Sequence, residues 1–140
     1  MATRKTTGDA GEAAAVVFLE AHGFRIVDVN VRPGLAEDRL PGELDIVAWD
    51  GDALCFVEVK TRTETIHSTD ESPAEAVTGR KQAQIVRLAF CYALQNGLLA
   101  DDAETALRFD VVAVRRTVAR GVETFRCELI RAAFYPAAGD

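Results

Sequence analysis

The fold is decided by residues 42–60, in which two strand-like apolar runs flank a turn signal: Gly42-Glu43-Leu44-Asp45-Ile46, then Trp49-Asp50-Gly51-Asp52, then Phe56-Val57-Glu58-Val59-Lys60. An Asp-Gly pair between two such runs predicts a two-residue hairpin loop, here Asp50 and Gly51. This loop would place Asp45 opposite Phe56 and diagonal to Glu58. Because side chains alternate between the faces of a sheet, four charged residues would project from one face: Glu43, Asp45, Glu58 and Lys60.

Acidic residues inside apolar strands need a partner, because an unpaired buried charge is costly. Two carboxylates about 5 Å apart repel by about 3 kcal/mol at an effective dielectric constant of about 20. A proton, a basic side chain or a divalent cation relieves this repulsion, and hard cations such as Mg²⁺ favour carboxylate oxygens. With Asp45 and Glu58 as ligands, Lys60 could orient or deprotonate a water or stabilise the phosphorus-centred transition state. This set of groups suits phosphodiester hydrolysis.

Simpler interpretations of the same residues stay open. Glu58 and Lys60 could form a cross-strand ion pair on a solvated face. Glu43 could be a turn-flanking or sheet-rim residue. Glu12 shares a helical stripe with apolar residues, which predicts an inward position, yet it could be an exposed first-turn acid favoured by the helix dipole. Lys81 could extend along its own apolar stripe to solvent.

The remaining sequence predicts the following elements: a helix over 9–21, a strand over 24–32, a loop over 33–41, the hairpin over 43–61, a polar loop over 62–72, a helical region that begins at Ser72-Pro73, is interrupted at Gly79 and ends at Gln95, and strands over 107–114 and 123–130. The first strand carries Val27, Val29 and Val31 on one face and is predicted to be half buried. Arg108 and Asp110 are same-face neighbours that we interpret as a structural pair. The order α-β-β-β-α-β-β predicts a single α/β domain over 1–140, with a mixed sheet flanked by helices and a flexible segment at 1–8.

Composition narrows the function classes. A net charge of −6, from 16 basic and 22 acidic residues, argues against binding nucleic acid by bulk electrostatics, although a local basic patch or bound cations can offset the total. Cys55, Cys91 and Cys127 are widely spaced in apolar segments, which predicts buried thiols in a reducing cytosol and neither a disulfide frame nor a zinc site. His22 and His67 are isolated and predicted to lie at the surface. No apolar run could span a bilayer, so we expect a cytoplasmic protein with no membrane partner.

An acid on the first helix, then Asp45, then Glu58-x-Lys60 resembles the PD-(D/E)XK nuclease superfamily, whose core runs α-β-β-β-α-β. More closely, the chain is similar to the YraN family of small bacterial proteins, which is in turn similar to archaeal Holliday-junction resolvases. The motifs that carry the resemblance span nearly the whole chain: Gly11-Glu12, Asn30-x-Arg32, Gly42-Glu43-Leu44-Asp45-Ile46, Phe56-Val57-Glu58-Val59-Lys60-Thr61-Arg62, Lys81, Arg108-Phe109-Asp110 and Ala133-Phe134.

The resemblance implies a restriction-endonuclease-like core in which Asp45 and Glu58 hold Mg²⁺ or Mn²⁺. It implies Lys60 as the catalytic lysine and Glu12 as an auxiliary catalytic acid. Five further residues are expected to support the site or contact substrate: Glu43, Arg62, Lys81, Asn30 and Arg32. The resemblance fixes no substrate. The first hypothesis is an endonuclease that acts on DNA, which includes branched or damaged DNA, with RNA as an alternative, and a homodimer would suit the cutting of two strands. A second hypothesis is a non-catalytic nuclease-fold module that binds nucleic acid or a protein partner, consistent with the acidic charge.

Overall fold

A computed structural model of the chain describes residues 4–34, 41–65, 77–99 and 105–136. The elements follow in the predicted order: α1 (Arg4–Ala21), β1 (Arg25–Val31), β2 (Leu44–Asp50), β3 (Ala53–Thr63), α2 (Gly79–Gln95), β4 (Ala106–Ala119) and β5 (Val122–Phe134). The strands form one five-stranded sheet in the order β1-β2-β3-β4-β5. The β3–β4 pair is parallel and the other neighbours are antiparallel, so α2 lies in the crossover that a parallel pair requires. The predicted α/β domain with a mixed sheet is confirmed.

Each face of the sheet carries one apolar cluster. The cluster on the α1 side includes Ala15, Leu19, Ile46, Val57, Val112 and Val114. The cluster on the α2 side includes Val47, Phe56, Leu88, Tyr92, Phe109 and Val111. Neighbouring residues of one strand belong to different clusters because successive side chains point to opposite faces. The central strands are therefore buried on both faces, so a charged side chain in them needs a partner among the residues packed around it.

The β2–β3 hairpin turns at Gly51 and Asp52, one residue later than the predicted loop. Gly51 has a φ of 59°, and a two-residue loop with glycine in this conformation at its first position matches the twist of the flanking strands. Moving the loop by one residue shifts each cross-strand partner by two, which keeps side chains on the same face. The ladder ends at the pair of Ile46 and Val57, so Asp45 and Glu58 are the next residues beyond it. The predicted pairing of Asp45 with Phe56 is wrong because Phe56 pairs with Val47.

The first helix begins at Arg4, earlier than the predicted start at Asp9, and ends at the predicted position. Its end has the hydrogen bonds of a Schellman motif. The Phe24 amide donates to the Leu19 carbonyl at 3.0 Å and the Gly23 amide donates to the Glu20 carbonyl at 3.1 Å. A φ of 87° at Gly23 allows the chain to reverse there and enter β1.

Strand β1 is more exposed than predicted, because it lies at one edge of the sheet. Val27 and Val29 are 43% and 48% exposed. A register shift between Ile26 and Asp28 interrupts the alternation on which the half-buried prediction rested. Asn30 has a φ of 51°, which redirects its side chain relative to a regular strand.

Helix α2 is held at both ends. The hydroxyl oxygen of Thr78 accepts from the Lys81 amide at 3.2 Å, as an N-cap does, and the helix ends at Gln95 as predicted. Strands β3, β4 and β5 extend beyond their predicted bounds, and β4 turns into β5 at Arg120 and Gly121, both with positive φ. The predicted helix start at Ser72-Pro73 and most of the predicted loops at 33–41 and 62–72 lie outside the described residues.

A charged network closes the end of the sheet near the hairpin turn. Asp110 is fully buried and accepts two hydrogen bonds of 2.9 Å from the Arg108 guanidinium and another of 2.9 Å from the Ala132 amide. Arg108 also donates to Asp50 at 2.7 Å. The predicted structural pair of Arg108 and Asp110 is confirmed, and Asp50 extends it.

The cysteines are free thiols, but only Cys55 is buried, so the prediction of three buried thiols is wrong for Cys91 and Cys127. Burial raises the pKa of Cys55 to about 12, which makes this thiol unreactive at neutral pH. His22 is exposed, as predicted, and His67 lies outside the described residues. Neither helix of the described part of the chain is long and apolar enough to cross a bilayer.

Candidate active site

Asp45 lies where β2 and β3 separate, just beyond the pair that Ile46 forms with Val57 in their ladder. Its Oδ2 accepts a hydrogen bond of 2.9 Å from the Val59 amide. The carboxylate thus satisfies a strand amide that would otherwise need a carbonyl from β2. This hydrogen bond fixes the Asp45 side chain against the backbone between Glu58 and Lys60.

Glu58 is the most buried acid at this end of the sheet, with 6% of its surface exposed. Burial raises its pKa to about 8, and the charge of Asp45 acts in the same direction. Glu58 Oε1 lies 3.9 Å from Nζ of Lys60 and 3.9 Å from Nζ of Lys81. These separations exceed a hydrogen bond, so the two ammonium groups lower the cost of the Glu58 charge without removing it. A cation at the two carboxylates would remove it.

Glu12 approaches the carboxylate pair from α1. Its pKa is raised to about 7, first by burial and then by the charge of Asp45, while a hydrogen bond with the Asn30 side chain acts in the opposite direction. These three residues share a cleft of about 250 Å³ on the α1 side, together with Asp9, Ala13, Val16, Val29 and Ile46. The inward position predicted for Glu12 is confirmed, and Asn30 lines the same cleft.

Gly11 explains how α1 comes close enough to place Glu12. A Cβ atom at Gly11 would lie 1.9 Å from Oγ1 and 2.9 Å from Cβ of Thr61. The helix backbone therefore packs directly on β3, one residue beyond Lys60. The sequence carries a signal of this contact that the prediction of the site missed, a glycine in an alanine-rich helix, where glycine costs about 1 kcal/mol relative to alanine and needs a packing reason.

Replacing Gly11 by alanine is expected to push α1 away from β3 and to lower the free energy of unfolding by about 1–3 kcal/mol, as overpacking does. Gly8→Ala is the matched control. A Cβ at Gly8, one turn earlier on α1, would meet nothing within 4 Å, so this change is expected to be neutral or to stabilise by up to about 1 kcal/mol. Urea unfolding of both variants measures the difference. Equal stability of the two variants would contradict the close contact.

Helix α2 places Lys81 and the start of β2. Lys81 is in the first turn, where the helix dipole disfavours a cation, and the buried Glu58 carboxylate supplies the opposing attraction. The side-chain amide of Gln84 donates to the Pro41 carbonyl at 2.9 Å. The same side chain fills the space beside Gly42, which has a φ of 92°. One helix thus positions the cation and orients the segment that leads to Asp45.

The remaining predicted site residues lie at the rim. Glu43 is half-buried, and its charge contributes to the raised pKa of Glu12. Arg32 is exposed, and its Nε lies 3.9 Å from Glu43. Its ion-pair partner is therefore Glu43 at the rim of the site. Arg62 is exposed on β3, beyond Lys60. These residues surround the site without joining the carboxylate pair.

The two carboxylates of Asp45 and Glu58 fit a hard divalent cation such as Mg²⁺. Within residues 4–34, 41–65, 77–99 and 105–136, no three acidic, histidine or cysteine side chains form a group that could hold a metal. Asp45 and Glu58 supply only two carboxylates, which excludes a structural zinc site of four protein ligands. Two carboxylates suffice for Mg²⁺, which keeps several waters and takes further ligands from substrate phosphate. Burial and the neighbouring Asp45 charge raise the pKa of Glu58, and a divalent cation between the two carboxylates would offset both effects.

Comparison with known proteins identifies the family. Residues 11–114 match the family described as "Uncharacterised protein family UPF0102". A UPF0102 protein of Symbiobacterium thermophilum is 42% identical over 94% of this chain and 98% of its own length. Others from Chlorobaculum parvum and Moorella thermoacetica are 42% and 41% identical, over 91% and 89% of this chain and 90% and 95% of their own lengths. The chain therefore belongs to the UPF0102 family, the YraN-like family that its motifs resemble.

Proposed function

We propose that this chain is a metal-dependent endonuclease that hydrolyses phosphodiester bonds in DNA. The observation that carries the proposal is the buried Glu58 carboxylate beside Asp45, with two lysine ammonium groups each 3.9 Å from it. Adjacent carboxylates favour a divalent cation, and the lysines favour a phosphate. Both requirements are met where a phosphodiester binds against Mg²⁺ or Mn²⁺.

Asp45 and Glu58 would hold the metal ion. When bound, it supplies positive charge to the phosphoryl oxygens and lowers the pKa of water. The hydrogen bond from the Val59 amide to Asp45 orients one ligand before any ion binds, which reduces the reorganisation that binding requires. Occupancy of the site is expected to depend on pH, because Glu58 must lose its proton to act as a ligand.

The lysines act on the substrate. Lys60 is 36% exposed, so its ammonium group can donate to an attacking water or to a phosphoryl oxygen. Lys81 is 31% exposed and reaches the same carboxylate from α2, where it can bind a second phosphate oxygen. Glu12, with a pKa near 7, can exchange a proton at neutral pH.

The test is cleavage of supercoiled, single-stranded and four-way-junction DNA with Mn²⁺ by the native chain, Asp45→Asn and Lys60→Met. Both variants are expected to lose at least about 100-fold in rate. Asp52→Asn is the control, because Asp52 is exposed in the hairpin loop, and it should cleave like the native chain. Equal activity of all four preparations would reveal a contaminating nuclease, and no activity on any substrate would contradict the proposal. The same assay with RNA decides between the two nucleic acids.

A second candidate is a non-catalytic module that binds nucleic acid or a protein partner, which the net charge of −6 favours. In this case the acids have no metal to hold. Calorimetric titration of Mn²⁺ into the native chain and into Glu58→Gln separates the two functions. If Mn²⁺ gives binding heat with the native chain but not with Glu58→Gln, the nuclease is supported. If Mn²⁺ gives no binding heat with either protein, the non-catalytic module is supported.

A further inference from the structure

Among the described residues, strand β5 forms one edge of the sheet. It is the last strand in the order and pairs only with β4 among the described residues. Its span, Val122–Phe134, is 13 residues long and contains neither proline nor lysine, two residues that commonly protect an edge. Its register with β4 is regular from Val122 to Ile130, and the irregularity near Ala132 lies beyond this part. Such an edge presents unpaired backbone amides and carbonyls to another strand. We propose that two copies of the chain pair through β5, antiparallel, with the two-fold axis at Cys127.

Charge complementarity selects this register. Strand β5 carries four charged residues: Glu123, Arg126, Glu128 and Arg131. With the axis at Cys127, Arg126 faces the partner's Glu128, and Glu123 faces the partner's Arg131. Every charge of the strand then meets an opposite charge. Moving the axis by one residue would place Arg126 opposite the partner's Arg126, or Glu128 opposite the partner's Glu128, and like charges directly opposite each other destabilise a strand pair.

The inner pair carries most of this selection. Arg126 is 80% exposed and its guanidinium is 3.9 Å from Glu64, while Glu128 is exposed. Both are available to a partner. The outer residues have contacts within the chain, Glu123 with Arg116 and Arg131 with Asp50, so they would share their partners.

The same register covers an apolar groove. A groove of about 510 Å³ lies between α1 and β5, lined by Ala10, Ala13, Ala14, Val17, Phe18, Phe125 and Cys127. Val17 is 68% exposed, although it belongs to this apolar surface. A two-fold axis at Cys127, perpendicular to the sheet, places both α1 helices on one face, so the two grooves meet there. Phe125 then faces the partner's Leu129, an apolar pair across the junction.

The test is the molar mass of the full chain in solution, by size-exclusion chromatography with light scattering. The native chain is expected at twice its 15.2 kDa monomer mass. Arg126→Glu and Glu128→Arg each put like charges across the axis and should raise the dissociation constant at least about tenfold. An equimolar mixture of the two variants restores opposite charges in both inner pairs and should restore the dimer. Arg87→Glu, a reversal on the exposed face of α2, is the control and should remain dimeric.

Three outcomes would overturn the proposal. The first is a native chain that stays monomeric up to about 200 µM, a concentration far above the dissociation constant of a typical stable interface. The others are variants that dimerise like the native chain and a mixture of the two variants that stays monomeric. Because Arg126 and Glu128 are exposed, the variants are expected to fold, and circular dichroism verifies it.

A second measurement addresses the axis itself. Directly opposite residues of antiparallel strands have Cα atoms about 4.5–5.5 Å apart, within the range that a disulfide bridges. Copper(II) phenanthroline should give a reducible dimer of the native chain and of Cys91→Ser. Two thiols lose two protons and two electrons as the S–S bond forms, and two copper(II) ions each accept one electron. Cys127→Ser should give none. A cross-link that persists in Cys127→Ser, or fails in the native chain, contradicts the register.

Discussion

Glu58→Gln is expected to abolish DNA cleavage and, at the same time, to make the metal-free protein more stable at alkaline pH. The loss of a carboxylate ligand should reduce the rate at least about 100-fold. The gain in stability arises because Glu58 is 6% exposed and its charge is opposed by burial and by Asp45. A functional residue held at a cost to the fold is expected to show this opposition between activity and stability.

The sign of the pH effect follows from the raised pKa. The ordinary carboxyl value of 4.5 rises to about 8 at Glu58, so the folded chain binds this proton more tightly than the unfolded chain does. Stability from this group is therefore full below a pH of about 4.5 and is lost as pH rises towards 8. In the glutamine variant this loss disappears.

The measurement is the melting temperature of both proteins in a chelator, at about pH 5.5 and about pH 8.5, where the variant should gain at least about 3 °C over the native chain at the higher pH. Mg²⁺ should narrow the difference, because it binds the ionised native site and stabilises it. Asp52→Asn, which changes an exposed loop acid, should follow the native protein. A variant that is less stable than the native chain at the higher pH would show that the Glu58 charge supports the fold.

Arg108→Ala is expected to cause a large loss of stability, about 3 kcal/mol, because it leaves a buried carboxylate without its main partner. Asp110 is fully buried and takes its guanidinium hydrogen bonds from Arg108. The Ala132 amide would remain as a donor, but it carries no charge. Asp50 would also lose a hydrogen bond of 2.7 Å.

Urea unfolding measures this loss against two comparisons. Arg108→Lys keeps the charge but cannot donate in the two-pronged geometry of a guanidinium, so an intermediate loss of about 1–2 kcal/mol is expected. Arg87→Ala removes an exposed arginine of α2 and should change stability by less than about 0.5 kcal/mol. A loss in Arg108→Ala no larger than in Arg87→Ala would mean that Asp110 does not depend on this pairing.

The order of elements was predictable because hydrophobic periodicity and turn residues are local properties. The end of α1 at His22-Gly23 and the end of α2 at Gln95 followed from glycine and asparagine alone. The exposure of β1 was not predictable in this way. Its valines predicted a buried face, but its position at the sheet edge and the register shift near Asp28 depend on which strands pair.

The hairpin shows where local reasoning was sufficient and where it failed. Asp-Gly located the turn, but the loop closed on Gly51 and Asp52, which changed the partner of Asp45. The shift by two partners kept Asp45 next to Glu58, and the Asp45 charge acts on the Glu58 carboxyl. A shift of a single cross-strand partner would have separated Asp45 from Glu58.

The sequence alone determined which chemical groups occur in the central strands and in what order, since two acids and a lysine in apolar runs require partners. Their mutual distances and their protonation came from the folded chain. The backbone contact of Gly11 with Thr61 brings Glu12 to the site, and α2 brings Lys81 to within 3.9 Å of Glu58. These contacts join residues far apart in the chain, so the burial and charge that raise the pKa of Glu58 exist only after the helices have packed on the sheet.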